Sequence, residues 1–167
     1  MFATLLTAAF ALSPGAEAAT DERELGLEEL ADQADQIIVG EVLATYTTKQ
    51  HGVIFTVADL AVTETLKGDR TWKVRVTVPG GRLGREETIV SGAPRFVESD
   101  TMLLFLEDGG IVGMGQGSFV VEYGLAWRAK RDDVFISPRR HHDWAEEIDP
   151  NEDYTVFPMQ VVKRVAR

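Results

Sequence analysis

Residues 80–85, Gly-Gly-Arg-Leu-Gly-Arg, combine backbone freedom with cationic side chains. Glycine lets the chain turn tightly, and the planar arginine fork pairs with carboxylate or phosphate oxygens, so Gly80, Gly81, Gly84, Arg82 and Arg85 are the residue types of an anion cradle. A phosphate loop, however, runs from a strand into a helix whose N-terminus supplies donors and a favourable dipole. A strand is expected over 72–78, but the REETIVSGAP that follows Gly84 reads as strand and turn, and no Gly-Lys-Ser/Thr ending is present. The glycines are therefore expected to join two strands. Loops of this kind still carry recognition, and Arg82 and Arg85, together with Arg95 from the next turn, could hold a partner's carboxylate if the fold brings them together. Ser91 stands beside Gly92 without the Gly-x-Ser-x-Gly elbow, which makes it a binding residue of the same loop region rather than a nucleophile.

The remaining candidates carry less chemistry. His51 falls in an expected turn, and His141 and His142 precede Asp143, Glu146, Glu147 and Asp149. Adjacent side chains on an extended backbone point to opposite sides, so one metal would rarely take both histidines. The acids from Glu146 to Asp153 lack the alternating pattern that arranges oxygen ligands for calcium. That segment is expected to be a solvated loop fastened by Trp144. No catalytic set, metal or cofactor is expected. Trp72 with Lys73 and Arg75, or Trp127 with Arg128, Lys130 and Arg131, could stack bases on a basic surface. Trp72 shares parity with Val74, Val76 and Val78 and is expected in the core. A net charge of -10, from 27 acidic and 17 basic residues, also repels polyanions. Nucleic acid is thus not an expected partner. A sugar-binding groove is expected only if Tyr46, Tyr123 and Trp127 line one cleft.

The elements that must position these residues are mostly strands. A helix is expected over 26–34, where Leu27, Leu30, Ala31 and Ala34 recur at helical spacing. A long hairpin follows, 37–48 and 53–66, turning at Lys-Gln-His-Gly. Its second strand changes parity between Val57 and Leu60, which predicts a bulge near Ala58-Asp59. Short apolar runs at 87–90, 101–106, 110–115, 118–123 and 133–137 continue the strand pattern, and Pro158 opens a terminal helix. The expected fold is mainly β, a closed or partly open barrel with short flanking helices at the N- and C-termini. Residues 19–167 make a single domain, in which 124–167 is an extension that ends in the helix.

Residues 1–18 have the layout of a cleaved secretory signal: an apolar run from Phe2 to Leu12, then Ser13-Pro14-Gly15, then Ala16-Glu17-Ala18. The run is too short to span a bilayer, so no stable membrane insertion is expected and the protein is placed outside the cytoplasm, secreted or periplasmic. The chain contains no cysteine.

An ordered series of motifs resembles a group of exported bacterial proteins of unknown function: LEELADQADQIIVGEV (27–42), LKGD (66–69), VRVTVPGGRLG (74–84), VSGAPRF (90–96), LLFL (103–106) and VGMGQGSF (112–119). More remotely, a helix, then IIVGEV, then a hairpin ending in LKG is similar to netrin-like modules, which have an oligonucleotide/oligosaccharide-binding (OB-like) type of barrel. The resemblance implies that fold. It does not bring the zinc-directed amino-terminal cysteine of that family's protease inhibitors, because this chain has none. The expected function is an exported non-catalytic module that binds an extracytoplasmic protein, an exported protease among the candidates. An extracytoplasmic enzyme of unidentified reaction and a glycan or cell-wall binding module are the alternatives.

Overall fold

The hairpin expected from the sequence is the longest feature of the computed structural model, which describes residues 23–129 and 154–167. Strand β1 (Gln36–Gln50) and strand β2 (Val53–Lys67) pair antiparallel through a two-residue turn, His51-Gly52, both at positive φ (50° and 84°). That is the turn whose twist matches the twist of the strands it joins. Around this hairpin the chain adds α1 (Leu27–Gln33), β3 (Lys73–Pro79), β4 (Gly81–Leu83), β5 (Glu86–Thr88), β6 (Thr101–Glu107), β7 (Gly110–Ile111), β8 (Ser118–Glu122), β9 (Leu125–Ala129), β10 (Tyr154–Pro158) and α2 (Met159–Val165).

The main sheet runs β10-β9-β8-β6-β1-β2-β3, antiparallel throughout, with β7 added beside β6; β4 and β5 form a separate two-stranded sheet. The fold is thus mainly β with two short helices. Full closure into a barrel does not occur among the described residues. Strand β3 comes within 8 Å of β7, Cα to Cα, but no hydrogen-bonded ladder joins them. Three register shifts bend the long hairpin, passing over Leu43 on β1 and over Thr63 and Leu66 on β2. The expected bulge near Ala58-Asp59 is therefore corrected in strand: the extra residue, Leu43, sits on β1 opposite Asp59 and Leu60.

Both faces of this sheet are buried. On one, Ile37, Val39, Leu103, Phe105 and Phe119 meet Leu27, Leu30 and Ala31 of α1 and Met159 and Val162 of α2. The Phe105 and Phe119 rings pack edge to face, 5.9 Å between centroids. On the other, Ile38, Val42, Met102, Leu104 and Leu106 meet Ala58, Leu60, Val76, Val78 and Phe96. Burial on both sides explains why β6 reads as a continuous apolar run, Met102 to Leu106, rather than an alternating one. Each such Leu or Phe stabilises the fold by roughly 1.5–3 kcal/mol through lost contact with water.

A seven-residue helix has little stability of its own, so both helices depend on this packing and on their ends. At α1 the Glu29 carboxylate accepts the Gly26 N–H (3.0 Å) and pairs with Arg23 (2.6 Å), while Lys67 Nζ donates to the Ala31 carbonyl (2.7 Å). At α2 Pro158 is the N-cap, the Met159 N–H reaches the Gly124 carbonyl (2.9 Å), and Lys163 and Arg164 lie in the last turn, where cations suit the helix dipole.

Several local expectations change. Trp72 is not in the core: it is 75% exposed, at the bend before β3, because the alternation of a strand governs only residues inside its ladder and β3 pairs from Lys73 onward. Ile89 and Val90 leave the strand expected at 87–90, and only Gly110 and Ile111 of 110–115 are strand. The strands β9 and β10 were not expected. The signal-like segment 1–18, the run 133–137, the pair His141-His142, the acids 146–153 and Trp144 lie outside the described residues.

Candidate loop-binding face

The glycine-arginine stretch is a short hairpin laid onto the tip of β1 and β2. Gly81 has φ 125°, and a Cβ there would stand 2.5 Å from the Thr56 hydroxyl oxygen. Only glycine permits both the backbone angle and the approach. Around it the Thr56 hydroxyl donates to the Gly80 carbonyl (2.9 Å), the Gly80 N–H to the Ile54 carbonyl (2.8 Å), and the Thr47 hydroxyl to the Arg82 carbonyl (3.0 Å). Lys49 pairs with Glu86. The strand expected before the loop is present, but a strand follows it rather than a helix, so the donors of a phosphate cradle are missing.

From this hairpin a contiguous strip of loops continues. Val90 packs on Gly80, with its side chain 3.6 Å from where a Cβ would stand. The Ala93 N–H closes a turn on the Val90 carbonyl (3.2 Å), and Gly92 in that turn lies directly against Gly115. A Cβ on Gly115 would overlap the Gly92 carbonyl oxygen. Gly115 belongs to a tight turn in which its carbonyl accepts both the N–H (3.1 Å) and the hydroxyl (3.0 Å) of Ser118. The connection 89–100 is then fixed to β1, with the Ser99 N–H on the Val42 carbonyl and the Val42 N–H on the Asp100 carbonyl, both 2.9 Å, and it sinks Phe96 into the core. Segments 79–81, 90–96 and 112–117 are thereby held in contact with one another.

Arg95 and Ser91 are exposed on the 90–96 segment, and Arg82 and Arg85 are exposed on the adjoining β4–β5 hairpin. Arg82 turns its Nε toward the Gly84 carbonyl (3.3 Å), Arg85 follows Gly84 at the hairpin turn, and Arg95 and Ser91 lie on the 89–100 connection. Sequence reasoning missed the apolar members of the face: Leu83, Ile89 and Met114 are exposed, Ile89 by 81%. Their signal is positional: Leu83 precedes Gly84 in the β4–β5 hairpin, Ile89 follows β5 outside any strand, and Met114 stands between Gly113 and Gly115.

Two polar clusters elsewhere serve the frame. On the β2–β3 ladder Asp59 faces Arg75, which donates to both carboxylate oxygens (2.7 and 3.0 Å), with Lys73 at 3.3 Å and the Tyr46 ring 5.9 Å from the Arg75 guanidinium. Hydrogen bonding from Arg75 outweighs partial burial and holds the Asp59 carboxyl down at about 2. At the other end Arg128 lies over the Phe119 ring (5.1 Å), pairs with Glu24 (2.7 Å) and donates to the Gln116 carbonyl, while the Gln116 side chain accepts the Leu25 N–H (2.7 Å). Burial lowers the Arg128 pKa and Glu24 opposes that shift. This cluster fastens the segment before α1 to the glycine-rich turn at 113–117.

The groove that Tyr46, Tyr123 and Trp127 were expected to line if the module bound sugars is not formed. Trp127 packs edge-on against Tyr154 (6.0 Å) with its indole N–H buried, Tyr123 projects from the β8–β9 turn, and Tyr46 lies three strands away from β9. Among the described residues no three His, Asp or Glu side chains gather as a metal-binding set, and no helix is long and apolar enough to cross a membrane.

Comparison with protein-family models, curated proteins and solved structures gave no match. The loop face therefore stands on its own geometry.

Proposed function

We propose that this protein is an exported, non-catalytic β module that binds another extracytoplasmic protein through the loop face, with an exported protease as one class of partner. The observation that carries the reading is the contact of the loops: exposed Arg82, Arg85 and Arg95 and exposed Leu83, Ile89 and Met114 all lie on loops and a hairpin that the glycines hold against one another. Arginine and methionine are enriched at protein–protein interfaces, and a frame ordered in advance lowers the entropy lost on association. The three cations favour an acidic patch on the partner. Among the described residues the one carboxyl driven far down, Asp59, is consumed by Arg75 and Lys73, which fits a role in the frame rather than in a reaction. The curl that brings β3 toward β7 supports a partly open barrel of the OB-like or netrin-like kind. The signal-like layout of residues 1–18 supports export, to a periplasm or the medium.

The test is affinity capture from the native extracytoplasmic fraction with protein beginning at Ala19, beside an Arg82→Ala/Arg85→Ala/Arg95→Ala variant of unchanged circular dichroism. One protein enriched by the parent and lost with the variant is the expected outcome. Reproducible capture of nothing, or equal capture by both, would overturn the reading.

A further inference from the structure

The LKGD turn lies away from the loop face, yet it builds the wall of a cleft. Between the end of β2 and the start of β3 lies an open hollow of about 300 Å³, bordered by Thr63, Glu64, Thr65, Arg70, Thr71 and Trp72. That is the lower end of the range that small ligands occupy. Four features set it apart from an ordinary surface dent. Trp72, the largest apolar side chain type, is 75% exposed and is left unused by the core. The Arg70 guanidinium lies 5.0 Å from the centre of its ring, which supports the indole through a cation–π contact. The Thr65 hydroxyl is buried without a hydrogen-bond partner, a state that costs about 1–3 kcal/mol unless something satisfies it. The walls are also anchored: Gly68 sits against the Asp35 carbonyl, Gln36 Nε2 donates to the Asp69 carbonyl (2.9 Å), the Val62 N–H to the Trp72 carbonyl (3.0 Å) and the Thr71 hydroxyl to the Lys73 carbonyl (3.0 Å).

We propose that this cleft binds a neutral oligosaccharide, with Trp72 as the stacking platform. A sugar ring offers a C–H face for an aromatic surface and hydroxyls at its rim, and the cleft here is bordered by Thr63, Thr71, the Glu64 carboxylate and the Arg70 guanidinium, with the unpartnered Thr65 hydroxyl behind them. The cleft lining carries one charge of each sign, Glu64 and Arg70, so it has no excess that would select a strongly charged ligand. A nucleic-acid strand would also stack on Trp72, but a chain of net charge -10 repels it. The site is separate from the loop face and independent of the protein-binding reading.

Calorimetric titration with cellotetraose, chitotetraose and maltotetraose, and with a thymidine octanucleotide, tests the assignment. At least one of the sugars binds saturably at millimolar concentration or below. Trp72→Ala weakens that sugar about tenfold or more, because the stacked apolar face is lost, with no change in circular dichroism at so exposed a position. Thr65→Val weakens it less, and the triple arginine variant of the loop face binds it as the parent does. The assignment fails if no sugar binds, if Trp72→Ala binds equally well, or if the octanucleotide alone binds in a Trp72-dependent way.

Discussion

The two faces of the main sheet are both closed to water, but by different kinds of chain. Two helices cover Ile37, Val39, Leu103 and Phe105, whereas Ile38, Val42, Leu104 and Leu106 are covered by Ala58, Leu60, Val76 and Val78 of the curled sheet itself, with Phe96 of the irregular connection 89–100 completing the cover. A helix satisfies most of its own backbone hydrogen bonds and can offer an apolar stripe alone. An irregular connection must borrow partners, here the backbone of Val42, and must approach its neighbours closely enough to shed water, which Gly92 and Gly115 allow. The recognition candidates sit on loops and a short hairpin rather than on the helices: Ile89, Ser91 and Arg95 on this connection, Arg82, Leu83 and Arg85 on the β4–β5 hairpin, and Met114 in the 112–117 turn. Recognition can be written on the outer surface of a loop cover without disturbing the core.

The largest expected effect compares the covers directly. Phe105→Ala, in the helix-covered core, destabilises by about 3–5 kcal/mol, and Phe96→Ala by about 3 kcal/mol or less, because a loop can partly collapse into the space left behind. Urea unfolding of both variants checks this; a larger loss at Phe96 would reverse the ranking of the two covers. A Cβ added by Gly115→Ala must push apart a pair of loops whose backbones touch, so it costs about 1–3 kcal/mol and speeds hydrogen exchange across 89–100 more than across the helices. Uniform exchange across both covers would show that the contact of the two glycines does not hold the loop cover.

The smallest expected effect belongs to the frame. With a folded value of about 2 against an ordinary 3.8, Asp59 binds fewer protons folded than unfolded, so its ion pairs favour folding above about pH 4, and that contribution fades as pH falls toward 2. Asp59→Asn is expected to flatten this region of the curve of melting temperature against pH. A curve of unchanged shape would mean that other carboxyls carry the acid sensitivity.

Much of the frame was legible. The β-branched runs on either side of Lys-Gln-His-Gly announce the long hairpin, and the spacing of Leu27, Leu30 and Ala31 announces α1. Strand β9 was not, because Leu125–Ala129 is short and carries Arg128, whose cost of burial is met by Glu24, Gln116 and the Phe119 ring, Glu24 far away in sequence. Trp72 misled because its parity was right and its ladder was absent. In the loop face each arginine was visible, but their shared surface depends on Gly80 meeting Val90 and Gly92 meeting Gly115.

By itself, then, the sequence determined the mainly β character, the hairpin and its turn, the two short helices and the acidic charge, since each follows from contacts among residues a few positions apart. Which cover closed which face, the failure of β3 to join β7, the exposure of Trp72 and the meeting of three glycine-rich loops were decided only by the tertiary structure. They rest on competition among distant segments for the same surface, and no local pattern encodes the winner.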